Sequence, residues 1–338
     1  MRLFAVLGFL MDDEEERREA PAALTAIEGN AVPDGALVSY ITTRDHVRLR
    51  AAVWPALTGK PKGTVCLFQG RSEFIEKYFE VVRELRERGF AVAAVDWRGQ
   101  GGSQRMTGNP KAGHVRGFAD YDTDLETFMR DIVLPDCPAP FYGLAHSMGG
   151  LILLRNATIR GIWFERVVCT APLVDMPKGS VPWGAVFSLC RWLRRIGLGW
   201  VMLPQFIYDR VYNPVRAFPG NPLTSDASRF SRMVEILAAE PALAIGPPTF
   251  GWIAALADGI EEIEGERFHK SLQIPVLNIA AGMDKFVSTP AIERLGKRMR
   301  IGGSIVLDGS RHEIMMEDDR IRDRFWAAFD SFIPGTKV

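Results

Sequence analysis

Short apolar runs alternate with longer amphipathic stretches along most of the 338 residues. Two alternating runs come first, at 36–42 and 47–54, joined by a polar turn at 43–46, which is a hairpin signal. Further apolar runs follow at 64–69, 91–97, 141–147, 167–171, 275–281 and 304–307, with helical patterns at 74–88, 121–132 and 148–159. Several runs are apolar on consecutive residues, as in strands covered on both faces of a parallel sheet. Strand–helix alternation after an opening hairpin predicts an α/β fold. Its central sheet should be mostly parallel, flanked by helices, and antiparallel only at its first strands.

The rhythm fails over 174–267. This segment is rich in Trp, Phe, Pro and Arg, reads as helices and turns, and separates two strands. It is expected to be a helical cap inserted into a core made of 36–173 and 268–334. Residues 1–35 carry a short apolar run, an acidic stretch at 12–19 and a turn-rich end at Gly29, Asn30, Pro33, Asp34 and Gly35; they read as a mobile leader.

Composition narrows the function. A hydrophobic share of 47% with 24% charged suits a folded chain with a large core. Lys plus Arg and Asp plus Glu number 41 each, so no global field favours nucleic acid. No run reaches the ~18–20 apolar residues of a spanning helix, and the N-terminus lacks a cleavage site. Cys66, Cys137, Cys169 and Cys190 have no paired or metal-type spacing. They read as reduced structural thiols, which favours a reducing, cytoplasmic compartment. No metal or cofactor is expected, since no HExxH, calcium-loop or paired-cysteine pattern occurs.

The strongest chemical signal is Gly143-Leu144-Ala145-His146-Ser147-Met148-Gly149-Gly150, which ends an apolar strand and opens a helix. That is the context of a nucleophile elbow, where a strained serine projects Oγ from the strand's C-terminal end. Small residues two before and two after it, here Ala145 and Gly149, let strand and helix approach closely.

A serine hydroxyl needs a base. Of the five histidines, His146 is adjacent to Ser147 and should point to the opposite side of the strand, His46 sits in the hairpin turn, His114 in a Gly-rich loop and His269 at the end of the cap. His312 remains, just after the last strand, where open α/β sheets place ligands. The orienting acid should lie between Ser147 and His312 in the chain. Asp284 is favoured over Asp175, because Gly282 supplies a turn that can aim it. For the oxyanion, the Met148 amide at a helix N-terminus is one expected donor. The loop at Gln69-Gly70-Arg71-Ser72 should supply the other: Gly70 permits the bend and the Arg71 amide donates. Two roles are open to the Arg71 side chain, binding an anionic head group or pairing with Glu73. The glycine-rich Asp96-Trp97-Arg98-Gly99-Gln100-Gly101-Gly102-Ser103 is not GxGxxG, and reads as a turn bracing the site's rim.

These motifs resemble the serine aminopeptidase and monoglyceride-lipase group of α/β hydrolases, and within it bacterial lysophospholipases. The likeness rests on Gly70-Arg71-Ser72-Glu73-Phe74-Ile75-Glu76-Lys77-Tyr78, Asp96-Trp97-Arg98-Gly99-Gln100-Gly101 and Gly113-His114-Val115. It continues in Ala145-His146-Ser147-Met148-Gly149-Gly150, Pro247-Pro248-Thr249-Phe250-Gly251-Trp252 and Arg311-His312-Glu313, and spans about 36–334. Gln69-Gly70 stands where the wider group has His-Gly, and Ala145 where it has Gly. The resemblance implies an ester hydrolase with Ser147, Asp284 and His312 as its triad and no cofactor.

The expected substrate is an ester of a single-chain lipid, a lysophospholipid or monoacylglycerol. In the cap, Trp183, Phe187, Trp192, Trp200 and Phe206 stand beside Arg191, Arg194 and Arg195. They could line an acyl pocket, touch the inner face of a membrane peripherally, or form the cap's own core. A peptidase releasing N-terminal proline is the alternative, with Asp258, Glu261, Glu262 and Glu264 as candidate binders of an amino terminus. A non-catalytic binding module on the same scaffold is the third reading.

Overall fold

The structure, a computed structural model, describes residues 21–159, 163–179, 181–212 and 218–335. Most of the expected leader therefore lies outside the described residues. Residues 21–35 hydrogen-bond to the core rather than standing free of it: Arg50 donates to the Ala23 carbonyl at 2.9 Å, Asn30 to that of Glu76 at 3.0 Å and Trp54 to that of Pro33 at 3.1 Å.

The strands are β1 (Leu37–Thr42), β2 (Arg48–Trp54), β3 (Thr64–Phe68), β4 (Ala91–Val95), β5 (Phe141–His146), β6 (Arg166–Thr170), β7 (Val276–Ala281) and β8 (Gly302–Leu307). They form one sheet in the order β1-β2-β4-β3-β5-β6-β7-β8. β1–β2 and β2–β4 pair antiparallel and every later pair is parallel. The hairpin is closed at Thr43, whose Oγ1 accepts from the Val47 amide at 2.9 Å.

Alternation along each strand divides the core in two. In β3, Cys66 and Phe68 face one apolar layer while Val65 and Leu67 face the other. Helix α1 (Phe79–Glu87) follows a tighter 3-10 turn, Ile75–Tyr78, and shares the second layer with the C-terminal helix Asp319–Phe332. That turn departs from a single helix over 74–88, because its first amide, at Ile75, is held by the Asp96 carboxylate at 3.0 Å. Helices α2 (Phe118–Phe128) and α3 (Met148–Ile159) lie in the first layer.

Between β6 and β7 the described residues form helices at Trp183–Arg195, Gln205–Tyr212, Ala227–Ala239, Phe250–Glu264 and Glu266–Ser271. The helix Phe250–Glu264 contributes Trp252, Ile253, Leu256, Ile260 and Ile263 to the first core layer. A separate small cluster joins Leu223, Phe230, Met233, Ile236 and Leu243 to Phe74 of the core. A core of the segment's own does not take in all its aromatics: Trp192, Trp200 and Phe206 are 55%, 65% and 73% exposed. All four cysteines are buried and unpaired.

The order of strands brings the chemistry together. The chain leaves β3 for β4 on one side and returns to β5 on the other, so the C-terminal ends of β3 and β5 flank the point where the winding reverses. A crevice at such a point is the usual ligand site of an open α/β sheet.

Candidate active site

β5 ends at His146 and α3 begins at Met148, leaving Ser147 alone at the bend. Its φ is +50°, in the left-handed region that costs a residue with a side chain ~1–3 kcal/mol. The bend survives because it is tied at both ends: the Ser147 amide donates to Thr170 at 3.0 Å, and its carbonyl accepts from Leu151 and Leu173 at 3.2 and 3.0 Å. Gly149 is required by close approach, since a Cβ there would lie 2.6 Å from the Phe68 carbonyl oxygen. Ala145 is fully buried, so one methyl is tolerated on the strand side.

The loops after β7 and β8 are laced together. Gly282 donates to the Leu307 carbonyl at 3.0 Å and Met283 to that of Ser310 at 2.8 Å. This brings Asp284 under His312. Asp284 Oδ2 lies 2.7 Å from His312 Nδ1, and His312 Nε2 lies 3.1 Å from Ser147 Oγ. The other carboxylate oxygen of Asp284 accepts from the amides of Phe286 and Val287 at 2.7 and 3.0 Å, and its side chain is 0% exposed. The rival Asp175 is elsewhere engaged, accepting from the Met176 amide at 2.8 Å.

Burial opposes ionisation of both groups, yet each favours the other's charge. Burial would raise the Asp284 carboxyl, but the charge and hydrogen bond of His312 outweigh it and hold it below the ordinary carboxylate range. Burial would likewise lower His312, but Asp284 outweighs it and lifts the imidazole above the usual histidine value.

His146 departs from expectation. Its ring lies 4.8 Å from that of His312 and its Nδ1 is 3.1 Å from the Thr170 carbonyl oxygen. Alternation along the strand does not carry through a bend with positive φ, so adjacency to Ser147 was a poor guide. Burial lowers His146 to about 4, leaving a neutral ring packed beside the site.

The loop after β3 is held from several sides. Trp97 Nε1 donates to the Gln69 carbonyl at 3.0 Å, and Gln100 Nε2 to that of Gly70 at 2.7 Å. The Gly70 amide donates to Glu73 Oε2 at 2.5 Å. A Cβ at Gly70 would lie 3.2 Å from Ser147 Cβ, which puts this loop against the nucleophile. The amides of Arg71 and Met148 have no acceptor among the described residues. The 96–103 turn thus braces the rim, as its sequence suggests.

A group that spacing alone did not single out stands behind this loop. Glu73 accepts from Lys77 Nζ at 2.6 Å and from Tyr78 OH at 2.7 Å, while Lys77 also reaches Glu313 at 2.6 Å. Lys77 therefore ties the loop after β3 to the loop carrying His312. Arg71 does not pair with Glu73, because Lys77 holds that carboxylate one helical turn away. Burial would raise Glu73, but Lys77 and the bonds it accepts hold it down to about 2. Burial does raise Glu313, with the Glu73 charge adding to the rise and Lys77, its ion-pair partner, opposing it. Lys77→Met should lower the free energy of urea unfolding at neutral pH by about 3–5 kcal/mol, the cost of stranding buried charge. The deficit should shrink as pH falls and Glu313 takes up a proton.

Among the described residues no group of three His, Cys, Asp or Glu is placed to hold a metal, and no helix is long and apolar enough to cross a membrane.

Comparison with known proteins agrees with this architecture. The chain is 30% identical over 275 residues to lysophospholipase L2 of Escherichia coli K12, covering 76% of each chain. A soluble variant of monoglyceride lipase from Saccharomyces cerevisiae, solved with a substrate analog, superposes with a TM-score of 0.71 at 17% identity, over 94% of this chain and 100% of that one. A thermostable carboxyl esterase from Bacillus coagulans gives 0.70 at 21%, over 90% and 100%. The family model described as serine aminopeptidase, S33, matches residues 59–319. The chain belongs to that family of α/β-hydrolases.

Proposed function

We propose that this ester hydrolase works through Ser147 as nucleophile, His312 as base and Asp284 as the group orienting it, on an ester of a single-chain lipid. The observation that carries the reading is the continuous relay from Asp284 through His312 to Ser147, at 2.7 and 3.1 Å. His312 Nε2 takes the hydroxyl proton as Oγ bonds to the acyl carbon, and the carbonyl electrons move to oxygen. The amides of Met148 and Arg71 receive that oxyanion. Collapse expels the alcohol, which leaves with the proton from His312. Water, deprotonated by the same imidazole, then cleaves the acyl-enzyme to the free acid and restores Ser147.

The substrate class rests on the likeness to lysophospholipase L2 and on the cap. We place the cap at 174–267, with its exposed Trp192, Trp200 and Phe206 as a peripheral contact for the membrane that supplies the lipid. The aminopeptidase alternative loses support at three of its four acidic candidates, all but Glu264. Asp258 is paired with Arg191 and Arg194, Glu261 with Arg191, and Glu262 with Arg155. A panel of monoacylglycerols, lysophospholipids and proline amides tests the reading. Turnover of the lipid esters should exceed that of the amides, and a fluorophosphonate probe should label Ser147. Faster proline-amide turnover would displace the lipid assignment.

A further inference from the structure

We propose that the Arg71 guanidinium is the subsite for the phosphate of a lysophospholipid head group, which rests on the lipid-ester reading above and narrows its substrate. Arg71 follows Gly70, the glycine seated against Ser147. Its side chain crosses to the residues preceding the helix Phe250–Glu264, where Nη2 donates to the Gly246 carbonyl at 2.6 Å and Nη1 to Ser72 Oγ at 2.9 Å. Cζ lies 5.2 Å from the Trp252 ring centre and 5.9 Å from that of Tyr208. A guanidinium has five N–H donors, and Nε here is buried with no acceptor.

Above all, this cation has no carboxylate within ion-pairing distance among the described residues. Arg86 and Arg166 are likewise held by carbonyls, those of Pro55 and Phe332, but Arg71 is the one that follows the glycine against Ser147, and other covered arginines are ion-paired. Arg50 is paired with Glu76 and Asp96, Arg98 with Asp45 and Asp124, Arg155 with Asp122 and Glu262, and Arg322 with Glu80 and Glu84. A half-buried cation held by one carbonyl, one hydroxyl and aromatic faces is short of negative charge. A planar guanidinium suits a phosphate, which it can bind through parallel N–H bonds. The seat is prepared for it: a Cβ at Gly113 would lie 2.5 Å from Nη2, so that position keeps open the space the guanidinium fills. A neutral monoacylglycerol gives the uncompensated charge nothing to bind. A lysophospholipid joins its phosphate through glycerol to the ester that Ser147 attacks, on the side of the leaving alcohol.

The rival explanation is that Arg71 is only a strut to Gly246, or only a cation aiding the oxyanion. Both would affect neutral and phosphorylated esters alike, so the ratio of kcat/KM between matched substrates isolates the head-group role. The full chain is assayed on a 1-acylglycerol and on the 1-acylglycero-3-phosphocholine of the same acyl chain, dispersed in neutral detergent. Arg71→Gln, which keeps the backbone amide, should lower the phospho-to-neutral ratio by roughly ten- to a hundredfold. Arg71→Lys, which keeps charge without the fork, should lower it less. In the wild type, glycerol 3-phosphate should inhibit neutral-ester turnover more tightly than inorganic phosphate does. An unchanged ratio in Arg71→Gln would overturn the proposal. So would tighter inhibition by inorganic phosphate, which would make the seat one for the free anion. Wild type that cleaves only the neutral ester would overturn it while leaving the hydrolase reading intact; cleavage of neither ester would bring down that reading itself.

Discussion

Ser147→Ala is expected to lower kcat/KM for acyl esters by about 10⁴- to 10⁶-fold, because a triad acts as a unit and the nucleophile has no substitute. Thr170, whose carbonyl accepts from the Ser147 amide at 3.0 Å, donates its own hydroxyl to the Ala145 carbonyl at 3.3 Å. Unfolding should be almost unaffected. Ser147 is buried at a φ of +50°, and alanine meets the same backbone penalty there while losing only the bond to His312. Parallel kinetics and thermal melts separate the two outcomes. Activity retained within tenfold of wild type in a folded variant would remove Ser147 from the mechanism.

Asp284→Asn should lower kcat by about 10⁴-fold, the scale on which a misoriented or wrongly protonated imidazole fails. It should also change the pH profile. His312 must be neutral to accept the hydroxyl proton, and Asp284 raises its pKa from the ordinary 6.5 by stabilising the imidazolium. The acid limb of kcat/KM in the wild type should therefore lie above pH ~6.5, with activity rising as pH rises through it. In Asp284→Asn the nearest stabilising charge is gone and burial is opposed only by the more distant Glu313 and Glu73, so the residual limb should move to lower pH. A limb that stays in place would mean that a group other than His312 sets it.

Much of this site could be seen in one dimension, for physical reasons that differ by residue. Ser147 stands out in the sequence because an elbow needs small neighbours at fixed offsets, and close packing leaves that trace locally. His312 and Asp284 are expected beside it because the C-terminal ends of parallel strands are where such a sheet collects its loops, and few histidines compete; the structure brings all three within hydrogen-bond reach. The side of His146 could not be read this way, since strand alternation ends where φ turns positive. Nor does local sequence give the partner of the Arg71 side chain or the place of Lys77 between Glu73 and Glu313. Glu73 is only one turn from Lys77, but Gly246 and Glu313 come from stretches distant in sequence, and the pairing of a buried charge depends on which groups the fold delivers to it. Nor could aromatic content between β6 and β7 say which side chains would be covered: Cys190 is buried while Trp192, two residues on, is largely exposed.

What the chain's order of residues determined by itself was local: runs apolar on both faces, turns that admit a left-handed residue, and the offsets that make an elbow. These depend on a residue and its near neighbours, so they can be read directly. Only the tertiary structure decided the partners of the charges, the covered and bare faces of the inserted helices, and the lacing of the β7 and β8 loops that puts Asp284 beneath His312. Such contacts join residues far apart in sequence, and their energies depend on distance and burial, which exist only once the chain has closed on itself.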